Sequence, residues 1–203
     1  MRIGPKFKIA KRLGAPIFEK TQTQKFALSE ARAGKKRTGR RPAPMSDYKK
    51  QLIEKQKMRY TYGITEQQLR RYVDDAVAKS NQPIAMLIGR LELRLDNVTY
   101  RLGLAKTRQA ARQMVSHGHI LVNGKRMTIP SHKVRVGDII SVREGSKISA
   151  LFTDFVERNE GSTPPHWLTF DGKKLSGECK AIPTYEPSEV LFDPELVLEY
   201  YSR

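Results

Sequence analysis

The chain has 203 residues, with one cysteine, one tryptophan and little aromatic content. The lone Cys179 excludes an intramolecular disulfide and fits a reducing compartment. No apolar stretch approaches the roughly 18 residues that a membrane span needs, so no membrane partner is expected. Acid is scarce: 38 Lys and Arg stand against 21 Asp and Glu, a formal charge of +17. Self-repulsion on that scale opposes a compact monomer and points to a polyanionic partner. The first 18 residues hold no acid and imitate an organelle transit peptide, but "IGPK" and "LGAP" break a long amphipathic helix, and serine is absent. There is no glycine-rich nucleotide loop, and no small-molecule substrate or cofactor is indicated.

The charge that is present is uneven. Residues 1–60 carry 18 basic and 4 acidic groups, residues 61–89 carry 3 of each, residues 90–147 carry 12 and 4, and residues 148–203 carry 5 and 10. Two separate basic blocks point to nucleic acid at two places. Residues 1–44 show little periodicity and are punctuated by Gly and Pro, with "GKKRTGRRPAP" their densest run. Such a segment buries too little apolar surface to offset its ordering entropy, so it is expected to be disordered until it meets phosphate.

At Ser46 the pattern changes. Ser46 reads as an N-cap with Asp47 in the first turn, and "DYKKQLIEKQKMRY" follows as a helix with Tyr48, Leu52 and Ile53 apolar. Thr65 and Gln68 form a capping box. Leu69, Tyr72, Val73, Ala76 and Val77 then mark a core-facing helix. Pro83 suits the first turn of another. Leu91, Leu95, Val98 and Leu102 predict one helical stripe, with Arg90, Arg94, Asn97 and Arg101 repeating the spacing one residue earlier and presenting guanidinium groups. Gly103 ends that helix.

The stretch "TRQAARQMVSHGHILVNGKRM", residues 107–127, passes from helix to strand to turn. Thr107 caps a helix in which Ala111, Met114 and Val115 face inward while Arg108, Arg112 and Ser116 line another face. Gly118 stops it, and Asn123-Gly124 is the dipeptide of a type I′ hairpin. "KVRVGDIISV" reads as a second strand with a Gly137-Asp138 turn. The result is a compact unit with one basic face suited to RNA, since Arg engages phosphate bidentately and a helix start offers N–H groups. Tyr100 is nearly the only aromatic nearby, so recognition by backbone and shape is expected.

Residues 93–144, "LRLDNVTYRLGLAKTRQAARQMVSHGHILVNGKRMTIPSHKVRVGDIISVRE", resemble the RNA-binding domain first named from protein S-four of the small ribosomal subunit. "PKFKIAKRLG", "SDYKKQLIEKQKMRYTYGITEQQLRRY", "PHWLTFD" and "LEYYSR" resemble the bacterial and plastid S-four family itself, so the likeness spans nearly the whole chain. It implies an α+β fold: a basic N-terminal arm over 1–45, a small helical domain over 46–90 completed by 186–203, and an inserted RNA-binding domain over 91–185. That domain, with its core module at 93–150, has two helices and a twisted antiparallel sheet. Asp193-Pro194-Glu195 fits the start of the returning helix.

The resemblance also implies a non-enzymatic constituent of the small subunit. It would bind ribosomal RNA early, at a helix junction of the 5′ domain, nucleate the body and bear on decoding accuracy. It would neighbour protein S-five, and with S-three line the mRNA entry path, in the cytoplasm or in the plastid stroma if organelle-encoded. The module's RNA face is assigned to Arg94, Arg101, Thr107, Arg108, Arg112, Gln113, His117 and Lys125. The N-terminal part contributes Lys6, Lys8, Lys11, Arg12, Arg37, Arg40, Arg41, Lys49, Lys50, Lys57, Arg59 and Arg70. Many members hold zinc with an N-terminal cysteine cluster, but residues 1–60 contain neither Cys nor His, so no zinc is expected.

Two rivals remain. The module also occurs in RNA-modifying enzymes, and "RLD" at 94–96 resembles the motif around the catalytic Asp of pseudouridine synthases, but Asp96 is expected as a helix-surface partner of an Arg. A free-standing RNA-binding regulator is the other. His117 and His119 with the scattered His132, His166 and Cys179 show no convergence on a metal. Trp167 and Phe170 are expected to pack the sheet, and Cys179 to sit in a Gly/Lys-rich loop.

Overall fold

Helix caps fall where the local chemistry asks for them. In the computed structural model, residues 3–35, 44–149, 152, 164–172, 174–187 and 190–202 are described. Ser46 accepts from the Lys49 N–H at 3.4 Å and starts a helix over Asp47–Tyr62. Thr65 and Gln68 bond reciprocally at 3.3 and 3.2 Å and start one over Glu66–Lys79. Asp193 accepts from the Glu195 and Leu196 N–H groups and starts one over Pro194–Tyr201. In chain order the helices are α1 Lys6–Leu13, α2 Gln24–Lys35, α3 Asp47–Tyr62, α4 Glu66–Lys79, α5 Pro83–Glu92, α6 Leu95–Arg101, α7 Arg108–Ser116, α8 Glu144–Lys147 and α9 Pro194–Tyr201. The strands are β1 Ile120–Val122, β2 Lys125–Arg126, β3 Ile139–Val142, β4 Leu168–Asp171 and β5 Ser176–Cys179. An α+β class is thus observed. The chain divides into two units, Met1–Ile84 with Glu186–Arg203, and Ala85–Tyr185.

In the first unit, the expectation of a disordered arm over residues 1–44 is corrected for residues 3–35, whereas residues 36–43, with most of "GKKRTGRRPAP", lie outside the described residues. α1 and α2 enclose a small core of Ala10, Leu13, Ala15, Ile17, Phe18 and Phe26, with Phe7 edge-on to Phe26 at 5.4 Å. Ile53 and Tyr60 of α3 pack against it. The apolar residues are spaced for helices but interleaved with lysines, so the charge conceals them in sequence. Gly14 closes α1 at φ 66°, where a side chain would be strained.

α3 packs against α9 with a stripe of Gln51, Lys55, Met58 and Tyr62, four buried residues of which two are polar. Each polar member has a partner from far along the chain. Gln51 Nε2 donates to Glu199 Oε2 at 2.9 Å. Lys55 Nζ donates to Glu66 Oε1 at 2.8 Å and lies 4.5 Å from the centre of the Tyr200 ring. The Tyr201 hydroxyl donates to the same Glu66 oxygen at 2.7 Å. Burial alone would raise the Glu66 carboxyl, but the bonds from Lys55 and Tyr201, with Arg59 beyond them, hold it below its usual range. Burial and that carboxylate in turn push the Tyr201 phenol up, so it stays a donor.

In the second unit the five strands form one antiparallel sheet in the order β2-β1-β3-β5-β4. Asn123 at φ 50° and Gly124 at φ 75° make the expected hairpin between β1 and β2. Ile120, Val122, Ile140, Val142 and Leu168 from the sheet meet Leu95, Val98, Leu102, Ala111 and Val115 from α6 and α7 in one core. Trp167 is buried in it and Phe170 packs at its edge, as expected. Cys179 departs from its expected loop: it ends β5, fully buried, and burial raises its thiol.

The helix expected across 91–102 is also corrected, because it is two helices broken at Leu93 and Arg94. Backbone bonds from a distant segment cut it. The Leu93 carbonyl accepts from the Val134 N–H at 2.9 Å, and the Leu95 and Asp96 N–H groups donate to the carbonyls of His132 and Pro130 at 2.9 and 3.1 Å. A strand-like bridge between Arg94 and Lys133 completes the junction.

Gly177 sits opposite Ile140 and Phe170 in β5, and a Cβ there would run into Leu102 and the Thr169 carbonyl. Gly177→Ala should therefore destabilise the protein by about 2 kcal/mol, read by urea denaturation. A depressed carboxyl stabilises above its unfolded value and loses that contribution as pH falls through its folded value. Glu66→Gln should therefore lower Tm at pH 7 and leave a shallower decline on acidification below pH 4.5, the group's ordinary value.

Candidate nucleic-acid interface

The break before α6 decides which arginines reach solvent. Turned inward there, Arg94 is 1% exposed and grips Asp96 with two bonds, Nε to Oδ1 at 3.0 Å and Nη2 to Oδ2 at 2.7 Å. The expectation that Arg94 presents its guanidinium on a helix face is corrected, as is that of Asp96 as a surface residue. The spacing was helical, but the helix on which it was read does not run through residue 94. The first N–H groups of α6 are likewise taken, two by the carbonyls of His132 and Pro130 and the third, from Asn97, by Asp96 Oδ1 at 3.0 Å. This helix start is therefore engaged within the protein.

Arg101 and Arg108 are set from below. Glu92, 4% exposed, accepts from Arg101 Nε and Nη2 at 2.9 and 3.1 Å. It also accepts from Asn97 Nδ2 at 2.8 Å, and the Asn97 oxygen accepts from Arg108 Nε at 2.8 Å. The Arg108 guanidinium lies 4.4 Å from the centre of the Tyr100 ring. Two arginines on neighbouring helices are thus oriented by one buried carboxylate and one amide, and a planar guanidinium stacked on a ring keeps its outer edge oriented. Sequence reading placed Asn97 on this face but missed Glu92, whose signal was its rarity: residues 90–147 hold only 4 acids.

Thr107 caps α7 by accepting from the Ala110 N–H at 3.1 Å. Arg112, one turn beyond Arg108, is half-buried, and Gln113 is exposed. At the end of α7 the exposed Arg126 reaches back from β2 and donates to the His117 carbonyl at 3.2 Å, over Gly118, where a Cβ would overlap its guanidinium. His117 is exposed. His119 meets Ser146 Oγ at 3.0 Å, and burial, His117, Arg143 and Arg126 push its imidazole below the usual value. Lys125 is exposed in the hairpin. Arg126 and Arg143 therefore belong to this cationic corner, though the sequence reading did not select them.

In the first unit the assigned cations differ in freedom. Lys8, Arg12 and Lys49 are exposed. Lys6 lies 5.6 Å from the Phe18 ring centre, and Lys11 donates to the Ser29 carbonyl and hydroxyl at 2.9 and 2.7 Å. Lys50 pairs with Asp47 at 3.0 Å and Arg70 with Asp74 at 3.8 Å, both pairs open to solvent. Such pairs are weak and readily exchanged for phosphate. Lys57 is held by Glu54 at 2.7 Å with most of its side chain covered. Arg59 is also mostly covered, 4.7 Å from the Tyr60 ring centre. Arg37, Arg40 and Arg41 lie outside the described residues. Among the described residues, no cluster of three or more His, Cys, Asp or Glu could hold a metal, and no helix is long and apolar enough to cross a membrane.

Comparison with known proteins accounts for both units. Residues 1–92 match the family profile "Ribosomal protein S4/S9 N-terminal domain", and residues 93–140 match the "S4 domain". The chain is 42% identical over 203 residues to the "Small ribosomal subunit protein uS4" of Halothermothrix orenii, covering 98% of each. It is 44% identical over 203 residues to that of Roseiflexus castenholzii, covering 99% of this chain and 98% of the relative. For the protein of Persephonella marina the identity is 42% over 202 residues, with 98% of each covered.

Glu92→Gln removes the charge that faces Arg101 in a buried site. It should destabilise the protein by about 3 kcal/mol, read as a lower denaturation midpoint, a loss far beyond that of an exposed pair such as Lys50 with Asp47.

Proposed function

The chain belongs to the uS4 family of small ribosomal subunit proteins, and we propose that it acts there as a primary binder of the subunit's RNA. It is a structural constituent of that particle, and its second unit contains an RNA-binding S4 domain. The observation that carries the reading is the oriented pair Arg101 and Arg108 beside Arg112, all on α6 and α7, with a second set of exposed cations on α1 and α3. Fixed guanidinium groups without a reacting group beside them suit binding to a folded backbone better than chemistry. Asp96, the one residue with an enzymatic precedent, is buried against Arg94, which supports a non-catalytic role.

In finer terms, the RNA contacted is a helix junction of the 5′ domain, bound early enough to nucleate the body. Proteins S-five and S-three are its neighbours, the mRNA entry path runs close by, and the particle works in the cytoplasm or a plastid stroma. The RNA-facing residues of the second unit are Arg101, Arg108, Arg112, Gln113, His117 and Lys125, with Thr107 shaping the start of α7. In the first unit they are Lys6, Lys8, Lys11, Arg12, Lys49, Lys50, Lys57, Arg59 and Arg70, joined by Arg37, Arg40 and Arg41.

Replacing Arg108 and Arg112 together by Ala should weaken binding to transcribed small-subunit RNA about tenfold or more in filter assays. The slope of log K against log[salt] should become shallower by about 1 to 2, because each phosphate contact contributes to it. Circular dichroism separates that loss from unfolding, and unchanged affinity would remove α7 from the interface.

A further inference from the structure

Between α1 and α3 the first unit opens a cleft of about 420 Å³ that the contacts described so far leave unused. Its walls are Ile9, Leu13, Leu52 and Ile53, and Tyr60 lies among them. Arg12 and Lys49, both exposed, also line it and stand at its opening to solvent. Two further lining residues bury polar atoms that have no hydrogen-bond partner, Gln56 Oε1 and Arg59 Nε. Buried polar atoms are nearly always satisfied, and both atoms are closed off from solvent as the cleft stands, so a turn of each side chain is needed to bring the lone acceptor and the lone donor to a ligand that offers the opposite pair.

The chemistry narrows the ligand. A bare phosphate would leave the four aliphatic walls facing water, and an aliphatic side chain or acyl chain would leave Gln56 and Arg59 unsatisfied. A nucleobase has an apolar face for the walls, a π surface for Tyr60 and a donor beside an acceptor on its edge, and it is followed by phosphates for the cations at the mouth. The volume lies within the range of pockets that enclose a ligand of that size.

We infer that this cleft receives one unstacked nucleotide of the bound RNA, its base against Leu52, Ile53 and Tyr60 and its flanking phosphates at Arg12 and Lys49. The inference rests on the RNA-binding reading above and adds a base-sized subsite to a surface that otherwise meets backbone. It also gives Gln56, which no sequence pattern selects, a direct contact with the ligand.

The test uses the full chain and transcribed small-subunit RNA. Filter binding is measured across a salt series, with chemical probing of the RNA at single-nucleotide resolution. Leu52→Trp fills the cleft without removing a cation. It should weaken binding about tenfold, the scale of one stacked base, with the salt slope unchanged. One nucleotide whose base is shielded in the wild-type complex should return to its free reactivity. Gln56→Leu, close in size, should expose the same nucleotide and serves as the deciding variant if Leu52→Trp lowers Tm. Wild-type affinity and an unchanged probing pattern in Gln56→Leu, or in a folded Leu52→Trp, overturn the cleft while leaving the RNA-binding reading standing. Failure of the wild-type chain to bind the RNA overturns both.

Discussion

Glu92 holds its charge away from water, and it does so because Arg101 engages both of its oxygens while Asn97 donates to one of them. Removing the carboxylate would leave two arginines of adjoining helices repelling each other beside an apolar core. Keeping it converts that repulsion into orientation, since Asn97 passes the constraint on to Arg108 and Tyr100 supports the stacked guanidinium. The arrangement explains how a strongly basic helix pair packs at all. The interaction costs desolvation, so its benefit lies in fixing geometry more than in stability.

The first unit solves the same problem with Glu66. One carboxylate receives Lys55 from α3 and Tyr201 from α9, and Arg59 stands within 3.9 Å of it. Two further bonds tie α3 to the end of the chain, where Gln51 donates to Glu199 and the Asp193 N–H donates to Glu54 of α3. Three cations of the basic α3 are matched by Glu54 and Glu66, while side chains such as Lys8, Arg12 and Lys125 are exposed.

Features with local causes were legible in the sequence. Ser46, Thr65, Thr107 and Asp193 cap helices because the hydroxyl or carboxylate lies two or three residues from the N–H it serves. Asn123-Gly124 turns the hairpin because both positions take positive φ. Features with distant causes were not legible. Nothing near residue 93 announces that residues 130–134 will divide a helix, so Arg94 was read at the right spacing on the wrong surface. The sequence reading did not single out Lys55, because the ring over it lies near the end of the chain. The folding of residues 3–35 was hidden by composition, since Phe7, Phe18 and Phe26 are sparse but converge. Of the candidate site, the sequence showed which cations exist and on which elements; it could not show which are gripped by acids from another segment.

The first unit is built from two pieces of chain, with about a hundred residues between α4 and α9 devoted to the other unit. During synthesis this separation sets an order. The sheet-containing unit has all its strands once residue 179 has emerged, whereas the polar stripe of α3 stays uncovered until α9 follows. A nascent chain can therefore offer finished arginine geometry from its middle while its beginning still waits for its end.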